Sequence, residues 1–169
     1  MSIEYIEGDV LNSGEQVVIH GCNCFNNMGS GIAKQVRIEY PEAHAADYAT
    51  VPGDTNKLGT YTTAVGKNGT RIINAYTQYH YSRIQVNADY NAIECALMTI
   101  CNDFPDQKVF AMPKIGAGLA GGDWNVIEQI LERVSNKYDR IFRVYLYHNV
   151  YPVAPTKPDF GKWKEMMES

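Results

Sequence analysis

The stretch KVFAMPKIGAGLAGGDW, residues 108–124, decides how this chain is read. It opens with an apolar run, Val109 to Met112, that has the length and composition of a short buried strand. A loop follows with glycine at Gly116, Gly118, Gly121 and Gly122, and it reaches Asp123, a good N-cap residue. Trp124, Ile127, Ile130, Leu131 and Val134 then recur at helical spacing. A strand, a glycine loop and a helix N-terminus in series make an anion cradle. The backbone can approach a ligand closely, and unpaired N–H groups with the helix dipole favour phosphate. Gly116, Gly118 and Gly121 also satisfy G-x-G-x-x-G, a weak signal alone.

Outward from this loop, the pattern is one of strands alternating with helices. Residues 3–6 alternate apolar and charged and read as a strand ending at Gly8-Asp9-Val10; residues 17–20 read as a short buried strand. The latter runs into a second glycine- and asparagine-rich loop, GCNCFNNMGSG, residues 21–31. Helices are expected over 32–40, stopped by Pro41, and over 42–49. Residues 58–65 and 71–76 form a hairpin pattern around Gly66-Lys67-Asn68-Gly69. A polar aromatic loop over 78–85 precedes a helix over 87–102, and a last strand is expected over 141–147. The segment 148–169 reads as a C-terminal tail, with a short helix possible over 163–167.

This alternation predicts a three-layer α/β/α sandwich with a mixed, mostly parallel six-stranded sheet. In such sheets ligands bind beyond the carboxyl ends of the strands, where Gly8-Asp9-Val10 and both glycine loops fall. The 169 residues suit one domain spanning 1–169. With 45% hydrophobic and 20% charged residues, the composition is that of a globular protein. A net charge of -4 excludes a broad basic surface, so an anion must be held by backbone N–H groups more than by Lys or Arg.

No signal-peptide pattern opens the sequence, and no apolar run is long enough to span a bilayer. The expectation is a cytoplasmic monomer with no membrane partner. Cys22 and Cys24 are too close for an ordinary disulfide, and Cys95 and Cys101 share one expected helix. These spacings match no zinc pattern, so neither metal nor cofactor is expected. Two nucleotide folds are also set aside. A dehydrogenase fingerprint belongs early in the chain, with a carboxylate ending the next strand, whereas here the last strand ends Tyr147-His148-Asn149. No Gly-Lys-Ser/Thr follows either glycine loop, which excludes a P-loop.

Three motifs in this order resemble the macrodomain family of ADP-ribose binders: Gly8-Asp9-Val10; His20-Gly21-Cys22-Asn23 followed by Gly29-Ser30-Gly31-Ile32-Ala33; and Ile115-Gly116-Ala117-Gly118-Leu119. The resemblance runs from Ile3 to about Tyr147. The resemblance implies that Asp9 accepts a hydrogen bond from the adenine amino group and that Asn23 lies near the distal ribose. It implies that residues 29–32 and 116–120, the latter ending at Ala120, hold the diphosphate. HGCN, Tyr76-Thr77-Gln78 and PKIGAGLAGGDW look most similar to the branch holding the yeast-type ADP-ribose-1″-phosphate phosphatases and the terminal ADP-ribose hydrolases. That implies hydrolysis of ADP-ribose-1″-phosphate to ADP-ribose and phosphate, with non-catalytic reading of ADP-ribose, free or on ADP-ribosylated macromolecules, as the alternative. A third option is a de-ADP-ribosylating hydrolase that works without a lysine. The hydrolases of that branch carry a lysine and an aspartate where this chain has Gln78 and Ala120, which argues against a lysine-dependent mechanism. The viral-type phosphatases carry a histidine where this chain has Met28.

Asn23 and His20 are accordingly the expected catalytic pair, Asn23 positioning the ribose or its phosphate and His20 moving the proton. His80 is the second choice, and His44 and His148 read as surface residues. Thr77, Gln78 and Tyr147 complete the expected ligand-binding set, with Tyr147 placed to stack on adenine or close the pocket. Against these stand plainer roles: Asp9 as a turn cap, Asn23 bonded to its own loop, and His20 as a satisfied core residue.

Overall fold

The computed structural model describes residues 2–82 and 86–147. The expected tail, 148–169, and the short helix proposed within it lie outside the described residues. Six strands form one sheet: β1 (Ile3–Glu7), β2 (Val17–Cys22), β3 (Tyr61–Val65), β4 (Arg71–Tyr76), β5 (Val109–Met112) and β6 (Ile141–Leu146). Their order is β1-β6-β5-β2-β4-β3, and every pairing is parallel except the β3–β4 hairpin. The helices are α1 (Gly31–Glu39), α2 (Pro41–Tyr48), α3 (Tyr90–Asp103) and α4 (Trp124–Tyr138).

Strand side chains alternate between two apolar layers, as a sheet covered on both faces requires. Val17 and Ile19 of β2, with Ile73 and Ala75 of β4, pack with Ile93, Leu97 and Ile100 of α3 and Ile127, Ile130 and Leu131 of α4. Val18 and Cys22, with Ile72 and Tyr76, pack with Val36 of α1 and Ala43 of α2. The result is the expected three-layer sandwich. At one edge Arg140, just before β6, ties down the end of α3, its guanidinium donating to the carbonyls of Cys101, Phe104 and Gln107.

Two boundaries differ from the sequence pattern for identifiable reasons. Residues 55–57 make a 3-10 turn capped by the Asp54 side chain, so β3 begins at Tyr61 rather than at 58. The amides of Asn87 and Ala88 donate to the Ala120 carbonyl, which delays α3 until Asp89 caps it through Ala92 N. Ala88 also pairs with Gln78 in an isolated antiparallel bridge, so the chain is extended there and cannot yet turn into a helix.

Candidate functional site

Because β1, β2, β4, β5 and β6 run parallel, their carboxyl ends share one edge of the sheet. The described segments leaving that edge are 8–9 after β1, 23–30 after β2, 77–82 and 86–89 after β4, 113–123 after β5, and Tyr147 after β6. Gly8 N donates to Leu146 O at 2.9 Å, which brings the first and last of these together.

The two glycine loops touch. Gly31 has φ +60, and a Cβ built on it would lie 3.0 Å from Leu119 Cδ1. Only a residue without a side chain combines that backbone conformation with that approach. Gly31 opens α1, and its N-cap, Ser30, makes no side-chain cap hydrogen bond. The first-turn N–H groups of Gly31, Ile32 and Ala33 therefore have no intrahelical acceptor. Across the contact, Gly122 N donates to Gly116 O, Gly121 N to Gly118 O, and Ala117 N to Lys114 O, closing the second loop on itself. Ala120 O is taken by Asn87 and Ala88. Among the described residues no acceptor takes the N–H of Gly118, Leu119 or Ala120. Two sets of uncommitted donors thus lie on the two loops that meet at this contact, an arrangement suited to an anion.

Beneath the cleft lies Ile115, buried against α3 and α4. Thr77 lies there too, its Oγ1 buried with no hydrogen-bond partner among the described residues. It sits so near β2 that a Cβ on Gly21 would come within 2.6 Å of that oxygen. At the far end Asp9 caps the 3-10 turn Val10–Asn12, accepting from Leu11 N and Asn12 Nδ2. A carboxylate accepts several hydrogen bonds, so the cap is compatible with a further donor. Tyr145, which the sequence did not single out, lies against Gly8 and donates its hydroxyl to Glu15. Tyr147 is half-buried just past β6.

His20 is corrected. It is 0% exposed, on the face of β2 that carries Val18 and Cys22, and its Nε2 lies 2.7 Å from Asn74 Oδ1. Asn74 in turn donates to Ala43 O and Thr62 Oγ1. Burial pushes the His20 pKa down to about 4, with the Asn74 hydrogen bond opposing it. Its ring therefore faces the core beneath α2 and not the loop edge of the sheet. The strand that ends at His20 in the sequence pattern in fact runs on to Cys22, so His20 faces inward rather than into the loop.

Asn23 also takes its plainer place. Its Oδ1 accepts from Phe25 N at 2.9 Å and Asn27 N at 3.4 Å, and its Nδ2 donates to Asn27 O. It shapes the first loop from within. Gln78 spends its amide on His80 O. His80 itself is exposed, stacked on Tyr81 with centroids 4.9 Å apart and set 5.1 Å from Phe25 of the first loop. Cys24 N donates to Tyr79 O, so this aromatic segment is knitted to the first loop. Beside it opens a cavity of about 550 Å³ lined by Tyr79, His80, Val86, Ala88, Asp89 and Tyr90, among others. Lys114 lies over the Trp124 ring. Asp123 accepts from Asn125 N as the N-cap of α4.

The four cysteines are free thiols. Among the described residues no group of three or more His, Cys, Asp or Glu side chains is placed to hold a metal ion. Among them, too, no helix is long and apolar enough to cross a membrane.

No family model matches the chain. It is 36% identical over 148 residues to an uncharacterized 17.5 kDa protein of Enterobacteria phage T4, covering 82% of this chain and 94% of that one. It is 30% identical over 132 residues to the DNA ADP-ribosyl glycohydrolase of Mycobacterium tuberculosis, 76% of this chain but only 37% of the relative. The ADP-ribose 1″-phosphate phosphatase of Debaryomyces hansenii is 27% identical over 179 residues, 84% of this chain and 99% of the phosphatase. Among solved structures, the macrodomain of Mycobacterium tuberculosis DarG superposes with a TM-score of 0.70 at 24% identity, over 85% of this chain and 96% of that one. Thermosipho africanus DarTG in complex with ADP-ribose gives 0.70 at 20% identity, over 99% and 46%.

Proposed function

Because this chain belongs to the macrodomain family, we propose that it binds ADP-ribose and hydrolyses ADP-ribose-1″-phosphate. The observation that carries this reading is the contact of Gly31 with Leu119. It sets the first turn of α1 opposite the N–H groups of residues 118–120, and a diphosphate between them is held without a Lys or Arg. Asp9 takes the adenine amino group, and Tyr147 flanks the base. Asn23 acts by shaping its loop, as a positioning residue.

Hydrolysis then needs a group that moves a proton, and His80 replaces His20 in that role. Water attacks phosphorus while His80 accepts its proton; the bond from phosphorus to the 1″-oxygen breaks, that oxygen takes a proton from solvent as ADP-ribose leaves, and His80 returns its proton to solvent. The cleft N–H groups stabilise the charge that develops on the phosphoryl oxygens. Relatives named as phosphatases support this reading, since the match spans nearly their whole length. The chain spans about a third of the glycohydrolases it matches. The reading takes the protein as one domain and as a cytoplasmic monomer that uses no metal.

A non-catalytic reader is the second reading. Ala120 favours it, because its side chain is a buried methyl and its carbonyl is committed to Asn87 and Ala88. Incubating the purified protein with ADP-ribose-1″-phosphate and following phosphate separates the two. Release supports the phosphatase, whereas tight ADP-ribose binding without release supports the reader. Absence of ADP-ribose binding by calorimetry overturns both.

A further inference from the structure

Lys57 is the only Lys or Arg side chain buried among the described residues, at 7% exposure. Lysine is almost never found there unless its charge is met, because an ammonium taken out of water without partners is costly. Its partners explain the position. Nζ donates to Cys24 O at 3.1 Å and to Asn26 Oδ1 at 2.7 Å, both in the first glycine loop. It also sits 4.9 Å from the centroid of the Tyr76 ring. A countercharge is near: Asp47 is 1% exposed and accepts the Tyr76 hydroxyl at 2.7 Å. Burial raises the Asp47 pKa, and the Tyr76 hydrogen bond and the Lys57 charge pull against it.

Asn26 is the other half of this contact. It holds φ +58, unusual for a residue with a side chain. Its amide donates to Thr50 O at 2.8 Å and Tyr48 O at 3.3 Å, while its Oδ1 accepts from Thr50 Oγ1 and from Lys57. Gly53 N completes the arrangement by donating to Cys24 O. The loop is therefore fastened from beneath to the end of α2 and to the turn Thr55–Lys57, at the residues just before Gly29, Ser30 and Gly31. A ligand held by backbone N–H groups depends on their being in place beforehand.

We propose that Lys57, acting through Asn26 and the Cys24 carbonyl, is the positioning residue that sets the first loop for its anionic ligand. This rests on the ADP-ribose reading above for the identity of the ligand, but the ordering of the loop can be read without any ligand. Three variants test it: Lys57→Met, close in length but without charge; Asn26→Gly, which keeps the backbone conformation and removes the amide; and the double variant. Hydrogen exchange of the amides at 24–27 should speed up in each, while those of β4 stay protected. ADP-ribose affinity should fall by about tenfold in either single variant, the size expected for losing hydrogen bonds to a charged group. The double variant should lose less than the sum of the two single losses, because both single variants break the Lys57–Asn26 contact they share.

Unchanged exchange at 24–27 in a folded Lys57→Met protein overturns the proposal, with or without ligand. Should that variant fail to fold, Asn26→Gly decides alone: wild-type exchange and affinity there also overturn it. Wild-type protein that does not bind ADP-ribose sinks the functional reading instead, and the exchange result then stands by itself.

Discussion

Gly31 and Leu119 meet across the cleft so closely that a single added carbon on Gly31 would fall 3.0 Å from Leu119 Cδ1. Gly31→Val meets both obstacles at once, a φ of +60 and an occupied neighbour. The strain should cost about 1–3 kcal/mol of stability, and ADP-ribose binding should fall below detection by calorimetry while the circular dichroism stays that of a folded protein. Leu119→Ala relieves the contact, and in combination with Gly31→Ala it should recover part of the affinity. No recovery would mean that the contact does not set the width of the cleft.

His20 makes stability depend on pH. Its folded pKa is about 4 against an ordinary 6.5. Between these values the unfolded chain holds more protons than the native protein, so stability is full above pH 6.5 and is lost as pH falls toward 4. The difference is worth about 3 kcal/mol at most. Urea unfolding at pH 7 and pH 5 should show that loss, and His20→Gln should flatten it. The same variant, assayed at pH 7 where it is folded, should keep its phosphate release.

His80→Ala tests the chemistry. The ring is exposed beside Phe25 and outside the core, so its removal should leave the unfolding midpoint nearly unchanged. Phosphate release should drop by about 100-fold, a typical value for losing a general acid–base, with ADP-ribose affinity within a factor of about 3. Equal release in the variant would remove His80 from the mechanism.

Asp123→Ala should separate folding from function at the second loop. The Asp123 carboxylate caps α4 through Asn125 N at 2.9 Å. Losing the cap should cost about 1 kcal/mol and lower the melting temperature, with no change in ADP-ribose affinity. A large loss of affinity would place Asp123 in the cleft.

Much of this was legible because the fold is written in period. The alternation of short apolar strands with helical patterns led to the right sheet, and Val109–Met112 has the bounds that its apolar run predicts. Asp123 as a cap and the approach of the two glycine loops follow from local chemistry. His20 was misread for a local reason as well. Gly21 looked like the end of a strand, but parallel pairing with β4 carries β2 on to Cys22 opposite Tyr76, and one more pair of residues decides that His20 belongs to the core. Lys57 and Asn26 were invisible because they lie 31 residues apart and their partners are backbone and amide oxygens. No periodicity records a contact of that kind, and a lysine in a polar turn reads as solvated until something is seen to cover it.

The strand order has one more consequence. β2 and β5 are neighbours in the sheet, paired at Val18 and Ala111, and one jaw of the cleft hangs from each. The ladder spacing of adjacent strands, about 4.8 Å, thus fixes where the two jaws are rooted, while the meeting of Gly31 with Leu119 sets how closely their tips approach. The two roots cannot be moved apart without breaking the sheet, so any change in the gap between the jaws has to come from the loops themselves.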